Sequence, residues 1–257
     1  KQANGTIKIA IQKIGRLSEG SLELLKNMGL QFETYKDRLF TSCRNLPIDI
    51  LFLRDDDIPE YVQDGVADLG IVGSNVLDER ETSIQRLLPL DFGYCSLNIA
   101  VLEQSMLLSV NDLKGKRIAT SYPIALARYL TEKKIKAEIV LLRGSVEIAP
   151  ALKVADAICD LVSTGSTLRT NRLKVIEKVS RSQAILIGQN DPPEQKKQLI
   201  ERLLLRARGV QEARKYKYVM FNLPKDALEK ITKLVPGCKS PTVIPLNDPR
   251  FVAIHSV

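Results

Sequence analysis

The chain of 257 residues has room for one large domain or two to three small ones, and 44% hydrophobic against 26% charged residues is the balance of a globular protein. No apolar run approaches the roughly 20 residues of a membrane span, and no signal-peptide core precedes the first strand-like run, so a cytoplasmic protein with no membrane partner is expected. The net charge of +8 is spread along the chain, with denser groups at 114–117, 133–136 and 202–217; with no Trp, 5% aromatics and no nucleic-acid motif, it fits attraction of polyphosphate metabolites and no nucleic-acid partner.

Strand and helix periodicities alternate along the chain. Residues 7–11 read as a strand, and Ser18 as the N-cap of a helix carrying Leu22, Leu24, Leu25 and Met28 and ended at Gly29. Strands are expected at 32–35 and 39–43, and 48–53, apolar but for Asp49, is a run of the kind found inside a parallel sheet. A short helix opens at Asp57-Ile-Pro59, and a buried strand follows at 67–72. From about residue 95 the same units recur: strands at 95–102, 116–119, 138–142 and 157–162, helices at 123–133 and 145–152, and a short helix from Thr167. Strands at 175–179 and 184–187 lead the chain back. Two βα lobes crossed in this way enclose a cleft, the usual ligand position in such sheets. A strong helix at 192–213 leads to strand 218–223, helix 225–234 and strands 241–246 and 251–257. That β-α-β-β order is the first two-thirds of a ferredoxin-like unit.

The chemistry-bearing segments sit at strand ends. In Asp160-Leu-Val-Ser-Thr-Gly-Ser-Thr167 a buried strand stops at Val162, and four of the next five residues are Ser or Thr around Gly165. Small residues let backbone N–H groups turn inward, and the following helix start adds partial positive charge, so an anion fits there. The alternative is a capped helix start of ordinary composition. No Gly-Lys-Ser/Thr follows, so this is not a Walker loop. Glu147 and Asp160 lie on adjacent elements and suit ribose hydroxyls or a Mg²⁺ shared with a diphosphate; either acid alone reads as a surface residue. Arg54-Asp-Asp-Asp57 places three carboxylates after a buried strand, where mutual repulsion demands solvation, capping or pairing. Asp57 is accounted for as an N-cap, which leaves Arg54, Asp55 and Asp56 at the cleft edge. Gln12-Lys-Ile-Gly-Arg16 offers two cations and a glycine, and Gly70-Ile-Val-Gly73 permits close approach of a flat ligand. A single histidine, His255, nearly excludes His-based nucleophilic catalysis and multi-histidine zinc sites. The four cysteines are dispersed, without a Cys-x-x-Cys pair, and read as reduced thiols.

Together these segments resemble ATP phosphoribosyltransferase, the enzyme family that begins histidine biosynthesis. The resemblance rests on Ile9-Ala-Ile-Gln-Lys-Ile-Gly-Arg-Leu-Ser18, Pro47-Ile-Asp-Ile-Leu-Phe-Leu-Arg-Asp-Asp-Asp-Ile-Pro59, Asp68-Leu-Gly-Ile-Val-Gly73, Arg117-Ile-Ala-Thr-Ser-Tyr-Pro123, Gly144-Ser-Val-Glu147 and Ala155-Asp-Ala-Ile-Cys-Asp-Leu-Val-Ser-Thr-Gly-Ser-Thr-Leu168, in the family's order. It implies an α/β fold: a two-lobed catalytic core like that of periplasmic binding proteins, followed by a C-terminal ferredoxin-like (α+β) regulatory domain that lacks its last helix and strand. Residues 1–98 form the first lobe, with 180–214 returning to it; 99–179 form the second, donor-phosphate lobe, and 215–257 the partial regulatory domain.

By the same resemblance, the adenine N1 of ATP attacks C1 of phosphoribosyl diphosphate and pyrophosphate leaves with Mg²⁺, which is held mainly by substrate phosphates. Ser163, Thr164, Gly165, Ser166 and Thr167 are then the donor's 5-phosphate site, with Asp160 and Glu147 near its ribose. Arg16, Arg54, Asp55, Gly73 and Tyr122 fall on the ATP side, no residue is assigned as acid or base, and Thr242 is the candidate contact for histidine as inhibitor. The long, self-regulated form is implied, as a homohexamer or dimer. Two positions depart from the family pattern: Lys153 stands where glycine is usual, and Ile14 replaces a small polar residue. A two-lobed solute-binding protein is the main rival, and it would carry an export signal.

Overall fold

A computed structural model describes residues 5–34, 38–80 and 82–257. The chain divides into two compact units, Lys1–Leu204 and Leu205–Val257. Its elements run β1 (Ile7–Gln12), α1 (Ser18–Asn27), β2 (Phe40–Ser42), β3 (Ile48–Leu53), α2 (Ile58–Gln63), β4 (Leu69–Gly73), α3 (Ser74–Glu79) and β5 (Gln85–Pro89). Then come β6 (Cys95–Leu102), β7 (Arg117–Thr120), α4 (Pro123–Glu132), β8 (Glu138–Leu141), β9 (Ala157–Val162), α5 (Ser166–Thr170) and β10 (Leu173–Ser182). They are followed by β11 (Ala184–Gly188), α6 (Glu194–Lys215), β12 (Val219–Pro224), α7 (Leu228–Leu234), β13 (Thr242–Pro245) and β14 (Phe251–Ser256).

The first unit holds two sheets, ordered β2-β3-β1-β4-β11-β5 and β10-β6-β9-β7-β8. In the first sheet β1 runs parallel to β3 and β4, β11 pairs antiparallel with β4, and β5 pairs antiparallel with β11. Ile9, Ala10 and Ile11 are all buried, as a strand covered on both faces requires. In the second sheet β7 is parallel to β8 and β9, β6 pairs antiparallel with β9, and β10 pairs antiparallel with β6. Its core is Leu97, Ile99, Ile118, Leu126, Leu130 and Cys159 on one face, with Ala119, Val146 and Ile158 on the other. The chain crosses between the sheets twice, and the two crossings pair with each other: Leu90 N donates to Ala184 O and Ala184 N to Phe92 O, each at 2.9 Å. In the second unit, the sheet β12-β14-β13 packs Leu223, Val252 and Ile254 against Leu228 and Ile231 of its helix. Among the described residues no helix is long and apolar enough to cross a membrane.

Several expectations shift. Residues 32–34 form no strand, and residue 35 lies outside the described residues. Ser18 is the first helical residue rather than the cap; Leu17 takes the cap position, and the Ser18 hydroxyl donates to Lys13 O at 3.0 Å. The helix expected at 145–152 shrinks to a 3-10 turn at Val146–Ile148. Gly144 and Ser145 enter it at positive φ, 124° and 47°, and Pro150 cannot continue a helix. Helix α3 and edge strand β5 have no counterpart in the periodicity reading. Lys153 has φ 57°, the left-handed conformation that glycine adopts without a Cβ penalty. That conformation is the physical reason glycine suits this turn, and Lys153→Gly should raise stability by about 1 kcal/mol in urea unfolding.

One buried ion pair fastens the start of α6 to the first sheet. The carboxylate of buried Asp68 accepts from Lys8 N at 2.8 Å and from Lys196 Nζ at 2.8 and 2.9 Å. Asp68→Ala should cost roughly 3 kcal/mol in the same measurement, because it strands the mostly buried ammonium of Lys196. A loss under about 1 kcal/mol would show that water replaces the carboxylate freely.

Candidate functional site

The parallel strands β1, β3 and β4 end together at Gln12, Leu53 and Gly73, and β7 and β9 end at Thr120 and Val162. Crevices outside the carboxyl ends of such strands are where ligands bind in open α/β sheets. The catalytic-core residues singled out by sequence lie just past these ends, except that Gly73 closes β4, Asp160 stands inside β9 and Glu147 lies in an adjacent turn.

On the second lobe, a cavity of about 360 Å³ is lined by Glu147, Asp160, Ser163, Thr164, Gly165, Ser166 and Thr167, with Leu161, Val162 and Leu168. Gly165 at φ 74° turns the chain into α5, and the four flanking hydroxyl residues stay exposed toward the cavity. The Thr164 and Ser166 hydroxyls bond each other at 3.1 Å, and Arg169 Nη1 donates to Thr164 O at 3.3 Å, pinning the loop from behind. Asn171 Nδ2 holds Thr167 O at 2.9 Å. Asp160 Oδ1 accepts from Leu161 N at 2.7 Å. Burial pushes the Asp160 carboxyl above its ordinary pKa; that backbone hydrogen bond opposes the shift and the Glu147 charge adds to it. The paired acids therefore face one space, as expected.

On the first lobe, Gln12 folds back so that its Oε1 accepts from Leu17 N at 2.9 Å, closing the first loop and aiming Arg16 inward. Arg16 Nη1 donates to Gly93 O in the crossing segment, and Nη2 reaches Asn75 Oδ1 at 3.5 Å. A Cβ on Gly73 would collide with Asn75 Oδ1 and crowd Arg16, so glycine is demanded there by close approach. Asp55 stands in a 3-10 turn, and its Oδ1 is buried without a hydrogen-bond partner among the described residues. Burial raises its pKa to about 6, with Arg16 lowering it and Asp56 raising it further. Arg54 is exposed; among the described residues only its backbone carbonyl is engaged, by Asp57 N at 3.1 Å. Asp57 itself forms no side-chain cap.

Tyr122 joins the two halves. Burial, then Asp160 of the second lobe, then Asp56 and Asp55 of the first, raise its phenol pKa. Its backbone N donates to Thr120 Oγ1 at 2.9 Å, and that hydroxyl donates to Cys159 O at 2.7 Å. The sequence reading missed Asn75 and Ser182. Ser182 Oγ donates to Asn75 Oδ1 at 2.8 Å and accepts from Asn75 N at 3.0 Å across 107 positions, a separation no local pattern reveals. Thr242 lies in the second unit, exposed on edge strand β13 and in register with His255. The described residues contain no cluster of three or more His, Cys, Asp or Glu that would hold a metal. The cleft does offer acids in pairs, with an unpartnered carboxylate oxygen on Asp55. Mg²⁺ carried on substrate phosphates needs only one or two protein carboxylates, so these residues fit it.

Comparison with known proteins gives consistent relatives. A family profile described as HisG, ATP phosphoribosyltransferase, matches residues 54–209, and one described as the HisG C-terminal domain matches residues 213–257. An ATP phosphoribosyltransferase of Cytophaga hutchinsonii is 47% identical over 251 residues, 98% of this chain and 88% of that protein. The solved ATP phosphoribosyl transferase (HisG:HisZ) complex of Thermotoga maritima contains a chain that superposes with a TM-score of 0.69 at 29% identity, covering 81% of this chain and all of that one. A histidine kinase sensor domain similar to periplasmic binding proteins superposes with a TM-score of 0.56 at 13% identity over 82% of this chain and 92% of that one, a likeness of fold alone.

The environment of Asp55 leaves a pH signature. Its folded pKa, about 6, lies above the ordinary carboxylate value of 3.8, so between those values the folded chain holds a proton that the unfolded chain has lost. Stability contributed at this position is therefore present below pH 4 and falls as pH rises to about 6. In ligand-free urea unfolding, Asp55→Asn should gain about 2 kcal/mol relative to wild type between pH 4 and 7. A difference independent of pH would mean that Asp55 is solvated.

Proposed function

The chain belongs to the ATP phosphoribosyltransferase family, and from that premise we propose how the residues of its cleft divide the work. The enzyme transfers the 5-phosphoribosyl group of phosphoribosyl diphosphate to N1 of ATP, giving phosphoribosyl-ATP and pyrophosphate, the first step of L-histidine biosynthesis. In this reaction the N1 lone pair forms the new bond to C1 as the C1–O bond breaks, and that bond's electron pair leaves with pyrophosphate. Positive character builds on the sugar carbon, so the protein's task is alignment and charge stabilisation rather than proton transfer.

The reading of the donor half rests on one observation: all seven residues of the Asp160–Glu147 and Ser163–Thr167 set line a single cavity. Backbone N–H groups and hydroxyls from Ser163 to Thr167 hold the 5-phosphate, a role that suits a small-residue turn at a helix start. Asp160 and Glu147 hold the ribose hydroxyls, and their negative charge also favours the developing cation at C1. Arg16, Arg54, Asp55, Gly73 and Tyr122 take the ATP. Gly73 lets the nucleotide approach the backbone, and Arg16 supplies charge toward its phosphates. Mg²⁺, when bound, neutralises the diphosphate, with the cleft carboxylates as its protein-side ligands.

The match of residues 213–257 to the family's C-terminal domain supports feedback inhibition by histidine, with Thr242 as a contact, and assembly as a homohexamer or dimer. The four free cysteines support a cytoplasmic location, where thiols stay reduced.

Incubation with ATP, phosphoribosyl diphosphate and Mg²⁺ should release pyrophosphate; absence of release from folded protein would count against the whole assignment. Replacing Thr164 and Thr167 together by Ala should raise the donor KM about tenfold or more, with a smaller effect on the ATP KM, since each lost hydrogen bond to a charged group is worth roughly 1.5–3 kcal/mol. An unchanged donor KM would remove both hydroxyls from the phosphate site.

A further inference from the structure

Helix α4 carries Tyr122 at its cap position, with Pro123 as its first helical residue, and it has no side-chain cap of its own. Its first free N–H groups donate instead to Glu79: Ile124 N to Oε1 at 2.8 Å and Ala125 N to Oε2 at 2.9 Å. Glu79 is the last residue of α3, on the first lobe, while α4 belongs to the second. A carboxylate from one lobe thus caps a helix of the other with both oxygens. Helix-start N–H groups need acceptors, and negative charge is favoured there by the helix dipole, so this contact is stronger than an exposed ion pair.

Both ends of the link lead to the reaction cleft. Helix α3 begins directly after Gly73 and carries Asn75, which meets Arg16. Its far end is anchored on its own lobe by Asp78 with Arg86 and by Arg80 with Glu60, each at 2.6 Å. Helix α4 starts at Tyr122, whose phenol senses Asp160, Asp56 and Asp55. We propose that Glu79 is a positioning residue for phosphoribosyl transfer: by capping α4 across the cleft it sets the Tyr122 side chain and the spacing at which the two substrate halves face each other. Glu79 touches neither substrate and acts through Tyr122. The proposal rests on the placement of Tyr122 among the ATP-side residues.

A double-mutant cycle separates this role from plain helix capping. Assayed well below the unfolding temperature, Glu79→Ala should lower kcat/KM about tenfold, a fraction of the roughly hundredfold that a full ångström of misplacement can cost. Glu79→Gln, which keeps one acceptor, should fall between Ala and wild type. In a Tyr122→Phe background, Glu79→Ala should cost less than about threefold more, because interacting residues are not additive. Wild-type kinetics for Glu79→Ala with only a lower Tm would overturn the proposal, and so would full additivity with an impaired Tyr122→Phe. Tyr122→Phe at wild-type rates would instead overturn the placement of Tyr122, and the proposal with it. If Glu79→Ala does not fold, Glu79→Gln takes its place in the same cycle.

Discussion

The hydrogen bonds between Ser182 and Asn75 hold the site together. One buried hydroxyl donates to the Asn75 side chain, accepts from the Asn75 backbone, and takes a third bond from the Ser74 hydroxyl at 3.1 Å. The Asn75 oxygen also receives Arg16. The end of the strand that leaves the second sheet, the turn after β4 and the first loop are thus fixed by a few polar atoms. In a buried setting such a network is strong when complete and costly when broken. It requires glycine at position 73, because any Cβ there would meet the Asn75 oxygen. It also orients the arginine that opposes the shift in the Asp55 pKa.

Around this frame the cleft gathers more negative charge than it neutralises. Asp55, Asp56 and Asp160 all act on Tyr122, and burial raises Asp55 and Asp160 above the ordinary carboxylate range. Such an arrangement is unfavourable in the free protein, and it is the field that a sugar carbon gaining positive character needs. The same field disfavours a naked diphosphate, so donor phosphates placed in the proposed site would need N–H groups, hydroxyls and a counter-cation beside the acids. Little proton transfer is asked of the protein, in keeping with a chain whose one histidine lies on β14 of the other unit.

The lobed architecture is not diagnostic of this chemistry. A sensor domain similar to periplasmic binding proteins superposes on most of the chain at 13% identity. Two βα sheets that meet at crossed strands make a cleft whatever enters it, so function has to be argued from the residues at the strand ends. Here the family matches separate an enzyme from a module that only binds, and the hydroxyl-rich turn after β9 with its paired acids is where the proposed site lies.

Much was legible before any coordinates. Largely apolar runs such as 48–53, interrupted only by Asp49, announce buried parallel strands because strands covered on both faces have little polar surface. The turn at 163–167 suits an anion because small residues beside a helix start leave backbone N–H groups free to turn inward. Lys153 marks a strained turn through the glycine it replaces, and its positive φ supplies the reason. The missed elements, α3 and β5, are short, and each depends on neighbours distant in sequence. Period and composition are properties of adjacent residues, so the sequence by itself determined the longer strands and helices, the strand-end motifs and the family. Which carboxylates share a space, how Ser182 reaches Asn75 across 107 positions, and that Glu79 caps a helix of the opposite lobe were decided only by tertiary structure. Those contacts join residues whose proximity follows from sheet order and chain crossings, which no local pattern encodes.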